Sequence, residues 1–190
     1  MIDLQPVIAG TKTVAEVVGD LTQDDLTRET NALIYRMLEL IAECDDADVV
    51  FQPTDPGAHD PAAADAAEAH IAWTLGHVVV HVTAGGEEQA FLAAEQARGV
   101  AFHGRSRYEV PWETVTTLAQ VRARLEESRR MMLACLAVWP DAPHLALEEE
   151  VWPGGPRVNA VGRHAIGLAH GFGHLAQIAE IVRQSRGQKG

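Results

Sequence analysis

Apolar residues recur at intervals of three and four positions along most of this chain, the period of an α-helix with one buried face. In the first long segment with this pattern, Thr22 precedes Asp24 and Asp25, which is typical of a helix N-cap followed by an acidic first turn. In a later segment, Gly85 and Gly86 predict a bend. The pattern predicts one short helix and four long ones, at about 14–19, 22–44, 62–98, 113–138 and 158–184.

The segments between the predicted helices hold most of the proline and glycine residues, which interrupt helices. The stretches 45–63, 99–111 and 140–157 therefore predict long connections. Neither an alternating strand pattern of useful length nor an internal repeat is visible in the sequence. We therefore predict a single all-α domain over residues 1–190, a four-helix bundle with long connections.

Composition and charge narrow the class of protein. With 47% hydrophobic and 22% charged residues, the chain has the composition of a globular protein, and no apolar stretch is long enough to cross a bilayer. The two cysteines and the absence of a leader-like N-terminus predict a cytoplasmic protein without membrane association. The formal net charge of −12 disfavours a nucleic-acid partner, which would require clustered basic residues.

The one local concentration of arginines is interleaved with glutamates and predicts a solvent-facing helix surface with ion pairs. It consists of Arg122, Arg124, Glu126, Glu127, Arg129 and Arg130. This run therefore does not predict a phosphate-binding surface.

Two pairs of histidines, His77/His81 and His170/His174, are each spaced four residues apart within predicted helices. Such residues share one helix face, so each pair presents two imidazoles in the same direction, and His70 continues the first stripe. Imidazole is the commonest neutral metal ligand, and facing helices of a bundle can build a metal site. Taken alone, each pair is also compatible with ordinary core or surface histidines. Neither pair has the His-Glu-x-x-His pattern of a metalloprotease.

Three side chains near these histidines are candidates for catalytic roles. Gln177 lies one turn past His174 and either orients a ligand or substrate or is a polar residue at the bundle rim. Glu88 continues the stripe of His77 and is either a base or a solvated glutamate near the predicted bend. His77 itself is a ligand, a proton carrier or a packed ring one turn from His81.

Candidates for substrate binding come from two other places in the chain. Trp73 precedes the first histidine pair and either walls a pocket or packs in the core. Arg105 and Arg107 lie in a predicted connection, where their guanidinium groups either bind a carboxylate or tie down the loop.

The segment from Trp73 to His81, followed far along the chain by His170-x-x-x-His174-x-x-Gln-Ile, resembles the DinB/YfiT-like metalloenzyme superfamily. It is also similar to the N-terminal domain of mycothiol-dependent maleylpyruvate isomerase. In that superfamily a tryptophan precedes a metal ligand on the second helix, and two further ligands lie four apart on the last helix. The resemblance implies that His81, His170 and His174 are the metal ligands and leaves His77 as an extra candidate. It covers nearly the whole chain, although an alanine stands where many members have glycine after the last ligand.

The resemblance implies a metal-dependent enzyme in which a low-molecular-weight thiol, such as bacillithiol or mycothiol, acts on a small electrophile by S-transfer or isomerisation. The metal would be a divalent transition ion, zinc or nickel first, although a three-histidine site also suits iron, cobalt or copper. A homodimer is also implied. Two alternatives stay open: a stress-associated metal-binding protein without catalysis, whose coordination shell is closed by His77 or Glu88, and a hydrolase that uses a metal-activated water.

Overall fold

The computed structural model describes residues 2–60, 69–104 and 110–188. In this part of the chain nearly all regular structure is α-helical, as the sequence predicts. The helices are α1 (Gln5–Ile8), α2 (Val14–Val18), α3 (Gln23–Leu40), α4 (Asp46–Val49), α5 (Leu75–Ala97), α6 (Leu118–Ala137), α7 (Ala160–Gly173) and α8 (Leu175–Gly187). A 3-10 helix at Trp112–Thr114 and an antiparallel pair of short strands, β1 (Glu149–Glu150) and β2 (Arg157–Val158), complete them. None of the described helices has the length and apolar character that spanning a membrane requires.

Helices α3, α5, α6 and α7 form a four-membered bundle in which α5 and α3 each pack against both α6 and α7. Helices α5 and α7 are antiparallel, because Gln96 near the end of α5 contacts Arg163 near the start of α7, whereas His81 contacts His170 near the end of α7. The positions of contacting residues along the other helix pairs show that α5 runs parallel to α6. In the same way, α3 runs parallel to α7 and antiparallel to α6. The predicted four-helix bundle is confirmed, with an up-down-down-up topology.

Each long helix of the bundle begins at a residue whose side chain accepts a hydrogen bond from a backbone N–H of the first turn. In α3 and α6 the bond is reciprocated by a side chain of the first turn, which completes a capping box. The capping residues are Thr22, Thr74, Thr117 and Asn159. The predicted start of the first long helix at Thr22 is therefore confirmed.

The start of the second long helix was predicted too early. Helix α5 begins at Leu75 rather than near Ala62, because Thr74 has an extended backbone and caps the helix. Residues 69–74 are not helical, and residues 61–68 lie outside the described part of the chain.

Two other helix boundaries also differ from the prediction. The third long helix begins at Leu118, after the cap at Thr117, and the preceding 3-10 turn is separate from it. The last predicted helix is two helices, because the helix is interrupted at His174 between α7 and α8. Glycines at 171 and 173 have low helix propensity and favour a break at this position.

Helix α5 runs through Gly85 and Gly86 without interruption, so the two residues at the predicted bend do not break the helix. These glycines instead allow close approach of neighbouring helices. A Cβ atom at position 85 would lie 3.1 Å from Nδ1 of His170, and one at Gly167 of α7 would lie 2.8 Å from Cβ of Gln89. The close contact of α5 with α7 is therefore built from small residues on both helices.

The core is formed mainly by the apolar positions that the periodicity predicts. From α3 and the residue after it, Leu26, Leu33, Met37 and Ile41 are buried, and from α6 Val121, Leu125, Met132 and Leu136 are buried. The predicted charged surface of α6 is also confirmed, because Arg129 pairs with Glu126 at 2.5 Å and Arg130 pairs with Glu127 at 2.6 Å.

A buried polar network joins α5 and α7 to the connection that precedes α7, and sequence reasoning missed it. The side chain of Arg163 is 0% exposed, and it donates through Nε to Oε1 of Gln96 at 3.0 Å and through Nη2 to the carbonyl oxygen of Glu150 at 3.1 Å. The amide of Gln96 donates in turn to the carbonyl oxygens of Leu147 and Val158, each at 2.8 Å. The network fixes the connection against the bundle.

Candidate metal centre

Three histidines converge where α5 meets the junction of α7 and α8. Nε2 of His170 lies 3.0 Å from Nε2 of His81 and 3.2 Å from Nε2 of His174. The three donor atoms all lie within 4.8 Å of one another. The rings are inclined by 62° to 80°, so that their nitrogens approach a common point rather than their faces stacking. The predicted convergence of histidines from the second and last long segments is confirmed.

The backbone explains how these rings meet. His81 lies in the second turn of α5, and Gly85, one turn further on, leaves the space into which the ring of His170 projects. His170 lies in the last turn of α7. His174 lies in the break between α7 and α8, where its backbone N–H donates to the carbonyl oxygen of Gly171 at 3.2 Å.

The side chain of Gln177 fixes the orientation of one ring. Nδ1 of His174 donates to Oε1 of Gln177 at 2.7 Å. Because a neutral imidazole carries its proton on one nitrogen only, Nε2 of His174 then presents a lone pair towards His170. Gln177 thus contacts the ring of His174, which lies one turn before it in the sequence.

The donor set fits a divalent transition metal. A tetrahedral zinc site with Zn–N bonds of about 2.0–2.1 Å separates its nitrogens by about 3.3 Å, close to the separations of two of the three nitrogen pairs, and the third pair lies within 4.8 Å. Burial lowers the pKa of His174, an effect that the hydrogen bond to Gln177 partly opposes, and the neighbouring His81 lowers it further. A lowered pKa favours the neutral imidazole, which is the form that binds a metal.

His77, the extra candidate ligand, is stacked between two tryptophans. Its ring centroid lies 4.6 Å from that of Trp73 and 4.7 Å from that of Trp112, with interplanar angles of 23° and 2°. Burial, with a smaller effect of His81, lowers the pKa of His77 to about 4. Its Nδ1 atom is buried and has no hydrogen-bond partner among the described residues. These contacts support the alternative in which His77 is a packed ring one turn from the cluster.

Trp73 joins this stack to the histidine cluster. Its ring centroid lies 4.6 Å from that of His81 and 5.9 Å from that of His174. The side chain is half-buried and also packs against the core. The two roles considered for Trp73 therefore coexist, since it lines the site and contributes to packing. Trp112 gave no sequence signal, because it lies on a separate 3-10 turn that only the tertiary fold brings against His77.

A cavity of about 200 Å³ adjoins the cluster. It is bounded by the loop before α5 and by the start of α8, and its lining residues include Asp55, His59, Trp73, His174 and Gln177. A second cavity of about 440 Å³ shares Asp55, Trp73 and Gln177 with the first and extends along α8. Asp55 and His59 had no sequence signal, because they are far from the histidine pairs along the chain.

The remaining candidates lie elsewhere. His70 precedes α5, so its predicted place on the stripe of His77 and His81 is wrong; its ring stacks on that of His59 with centroids 5.0 Å apart. Glu88 is 7% exposed, so the expectation of a solvated glutamate is also wrong. It is not part of the group of three metal-ligand candidates found among the described residues.

Arg105 and Arg107 lie outside the residues that the structure describes.

Comparison with known families agrees with this fold. The sequence matches the model of the DinB superfamily over residues 11–178, a range that includes all three clustered histidines. No curated protein and no solved structure matches the chain significantly. Because the family match covers most of the 190 residues, the chain belongs to the DinB superfamily.

Proposed function

We propose that this protein holds a divalent transition metal through His81, His170 and His174, and that it activates a low-molecular-weight thiol for S-transfer to, or isomerisation of, a small electrophile. The observation that supports the proposal is the convergence of three imidazole nitrogens within 4.8 Å of one another. The thiol chemistry rests on the resemblance to the maleylpyruvate isomerase domain, whereas the geometry bears on the metal alone.

The residues of the site have separate tasks in this proposal. His81, His170 and His174 supply neutral nitrogen donors, and Gln177 keeps the proton of His174 on Nδ1. When bound, a divalent ion would favour the thiolate form of a thiol near neutral pH. Conjugation forms a carbon–sulfur bond, and the proton of the thiol passes to solvent as the leaving group departs. Trp73 restricts the access of water to His81 and His174 by covering their rings.

The contacts of His77 favour an open site over a closed one. A structural metal site has four protein ligands, whereas a catalytic site leaves a position for substrate. Among the described residues the donor group has three members, and His77 is held between the rings of Trp73 and Trp112. This arrangement supports an enzyme over the alternative of a non-catalytic metal-binding protein.

The test compares His174→Ala with His144→Ala as a matched control. His144 is exposed, and its backbone N–H donates to the carbonyl oxygen of Ala97, far along α5 from the cluster. Protein purified without a histidine tag is analysed for metal and assayed with bacillithiol, mycothiol or glutathione and an electrophile. We expect metal and turnover in the wild type and in His144→Ala, and loss of both in His174→Ala.

Other outcomes would identify a different function. Thiol-dependent turnover that survives in His174→Ala would overturn the mechanism. Bound metal with thiol-independent ester hydrolysis would identify a hydrolase, and bound metal without any turnover would favour a metal-binding protein.

A further inference from the structure

The loop that bounds the cavity is fastened to both of its neighbours. The side-chain amide of Gln52 donates to the carbonyl oxygen of Ala72 at 2.5 Å. Two residues further on, the backbone of Thr54 exchanges two hydrogen bonds with the side chain of Gln184 on α8, at 2.8 and 3.0 Å. The next residue, Asp55, therefore follows two anchored positions.

Asp55 lines both cavities, and its carboxylate is exposed. Its Oδ1 atom accepts a hydrogen bond from the backbone N–H of Gly57 at 3.0 Å, which orients the carboxylate within the loop. No ion-pair partner of Asp55 is found in the described part of the chain. The first cavity thus brings an uncompensated negative charge into the same space as the ring of His174.

The negative charge of the other acidic residue at this surface is balanced by an arginine. Glu180 lines the second cavity, but both of its carboxylate oxygens accept hydrogen bonds from Arg183, at 2.6 and 2.7 Å. These bonds, with one from Gln184, lower the pKa of Glu180 to about 2. Among the described lining residues of the two cavities there is no lysine or arginine. Asp55 therefore supplies the negative charge without an ion-pair partner that the described lining residues present to a ligand beside the cluster.

We propose that the thiol or substrate bound at the histidine cluster carries a positively charged group, which Asp55 recognises. This inference rests on the proposed function, because it assigns the ligand of that site a charge. A first cavity of about 200 Å³ suits a small group next to the donor atom, and the second cavity gives room for the rest of the molecule. A ligand with a carboxylate or sulfonate at the same place would be repelled by Asp55.

The test uses three thiols with the same two-carbon spacing but different charge: thiocholine, neutral 3,3-dimethylbutane-1-thiol and anionic 2-mercaptoethanesulfonate. The quaternary nitrogen of thiocholine cannot coordinate a metal, so its charge is tested without chelation. Dissociation constants are measured on cobalt-loaded protein from the thiolate-to-cobalt absorption. We expect thiocholine to bind about tenfold more tightly than the sulfonate, with the neutral thiol between them.

Variants separate the role of Asp55 from that of the total charge. Asp55→Asn should abolish the preference and Asp55→Lys should reverse it, whereas Asp141→Asn, which removes the same charge from an exposed loop after α6, should preserve it. Thermal unfolding confirms that each variant is folded.

The outcomes distinguish this inference from the proposed function. Equal affinities in the wild type, or an unchanged preference in Asp55→Asn, would overturn the inference and leave the thiol site standing. Failure of all three thiols to bind cobalt-loaded protein would overturn both.

Discussion

Polar groups lie at two places along the contact between α5 and α7, and they differ in how their atoms are paired. Towards the end of α5, Nε and Nη2 of Arg163 and the side-chain amide of Gln96 donate to carbonyl and amide oxygens. In the second turn of α5, a ring nitrogen of His81 faces one of His170, which also faces a third ring. Buried donors that are paired with acceptors form stabilising hydrogen bonds and need no ligand to explain them. Two ring nitrogens can pair with each other only when one of them carries a proton, whereas a cation can accept a lone pair from all three rings, which separates a binding site from a structural network.

Among the substitutions that test this difference, Gln96→Leu should change the protein most. The substitution leaves the buried Nε of Arg163 without its amide acceptor and removes the donor from two carbonyl oxygens. The free energy of unfolding should fall by about 3–5 kcal/mol, measured by urea denaturation. Metal content per folded molecule should stay unchanged, and parallel loss of metal would show that the two regions are coupled.

A second test uses a histidine that has a complementary partner. Nε2 of His164 is 3.2 Å from Oγ1 of Thr30, whose hydroxyl donates to the carbonyl oxygen of Leu26 and so accepts from the ring. Burial lowers the pKa of His164 to about 4, below the usual value of 6.5. Between these pH values the unfolded chain binds a proton that the folded chain does not, so stability declines as the pH falls.

This contribution to the free energy of unfolding is fully present above pH 6.5, and about 3 kcal/mol of it is lost by pH 4. His164→Gln should reduce by that amount the loss of unfolding free energy between pH 6.5 and pH 4, measured by urea denaturation at these limits. Some slope should remain, because the pKa of His77 is also lowered to about 4. An unchanged slope would contradict the assignment to His164.

A third test addresses the orientation of the converging rings. Gln177→Leu removes the acceptor that keeps the proton of His174 on Nδ1. Metal affinity should fall by about 10- to 100-fold, as for other residues that orient a metal-binding histidine. Competition with a chelator measures the change, and unaltered affinity would assign Gln177 to the bundle rim.

The smallest effect is expected from Gly85→Ala. A Cβ atom there would lie 3.1 Å from Nδ1 of His170, so the ring must move by a few tenths of an ångström. Metal affinity should fall by about fivefold, while the higher helix propensity of alanine maintains or raises stability. Gly173→Ala is the matched control, because a Cβ atom there has no neighbour within 4 Å among the described residues. Equal losses in both variants would contradict a steric role for Gly85.

Local pattern predicted the helices and the histidine pairs, because periodicity and spacing are properties of adjacent residues. It did not locate Thr74 or Thr117 as helix caps, since threonine in an apolar segment is equally compatible with a helix interior. The Arg163 network was missed because its partners are joined only by the tertiary fold.

The sequence predicted the residues at the histidine cluster better than the residues that line the cavity. The spacing of Trp73 and His81 is local, and both side chains lie at the cluster. Asp55 lies in a loop whose position depends on Gln184, 129 residues further on, so no local pattern could predict that it lies beside His174.

The position of Trp73 gives this protein an internal optical reporter. Its indole lies against two of the three clustered rings and lines the cavity beside them, so its emission should respond to ions and to small ligands without an attached dye. Paramagnetic ions such as copper or nickel quench a nearby indole, whereas zinc, with its filled d shell, does not. Comparing emission before and after chelation can therefore indicate which class of ion the protein carries when it is freshly isolated.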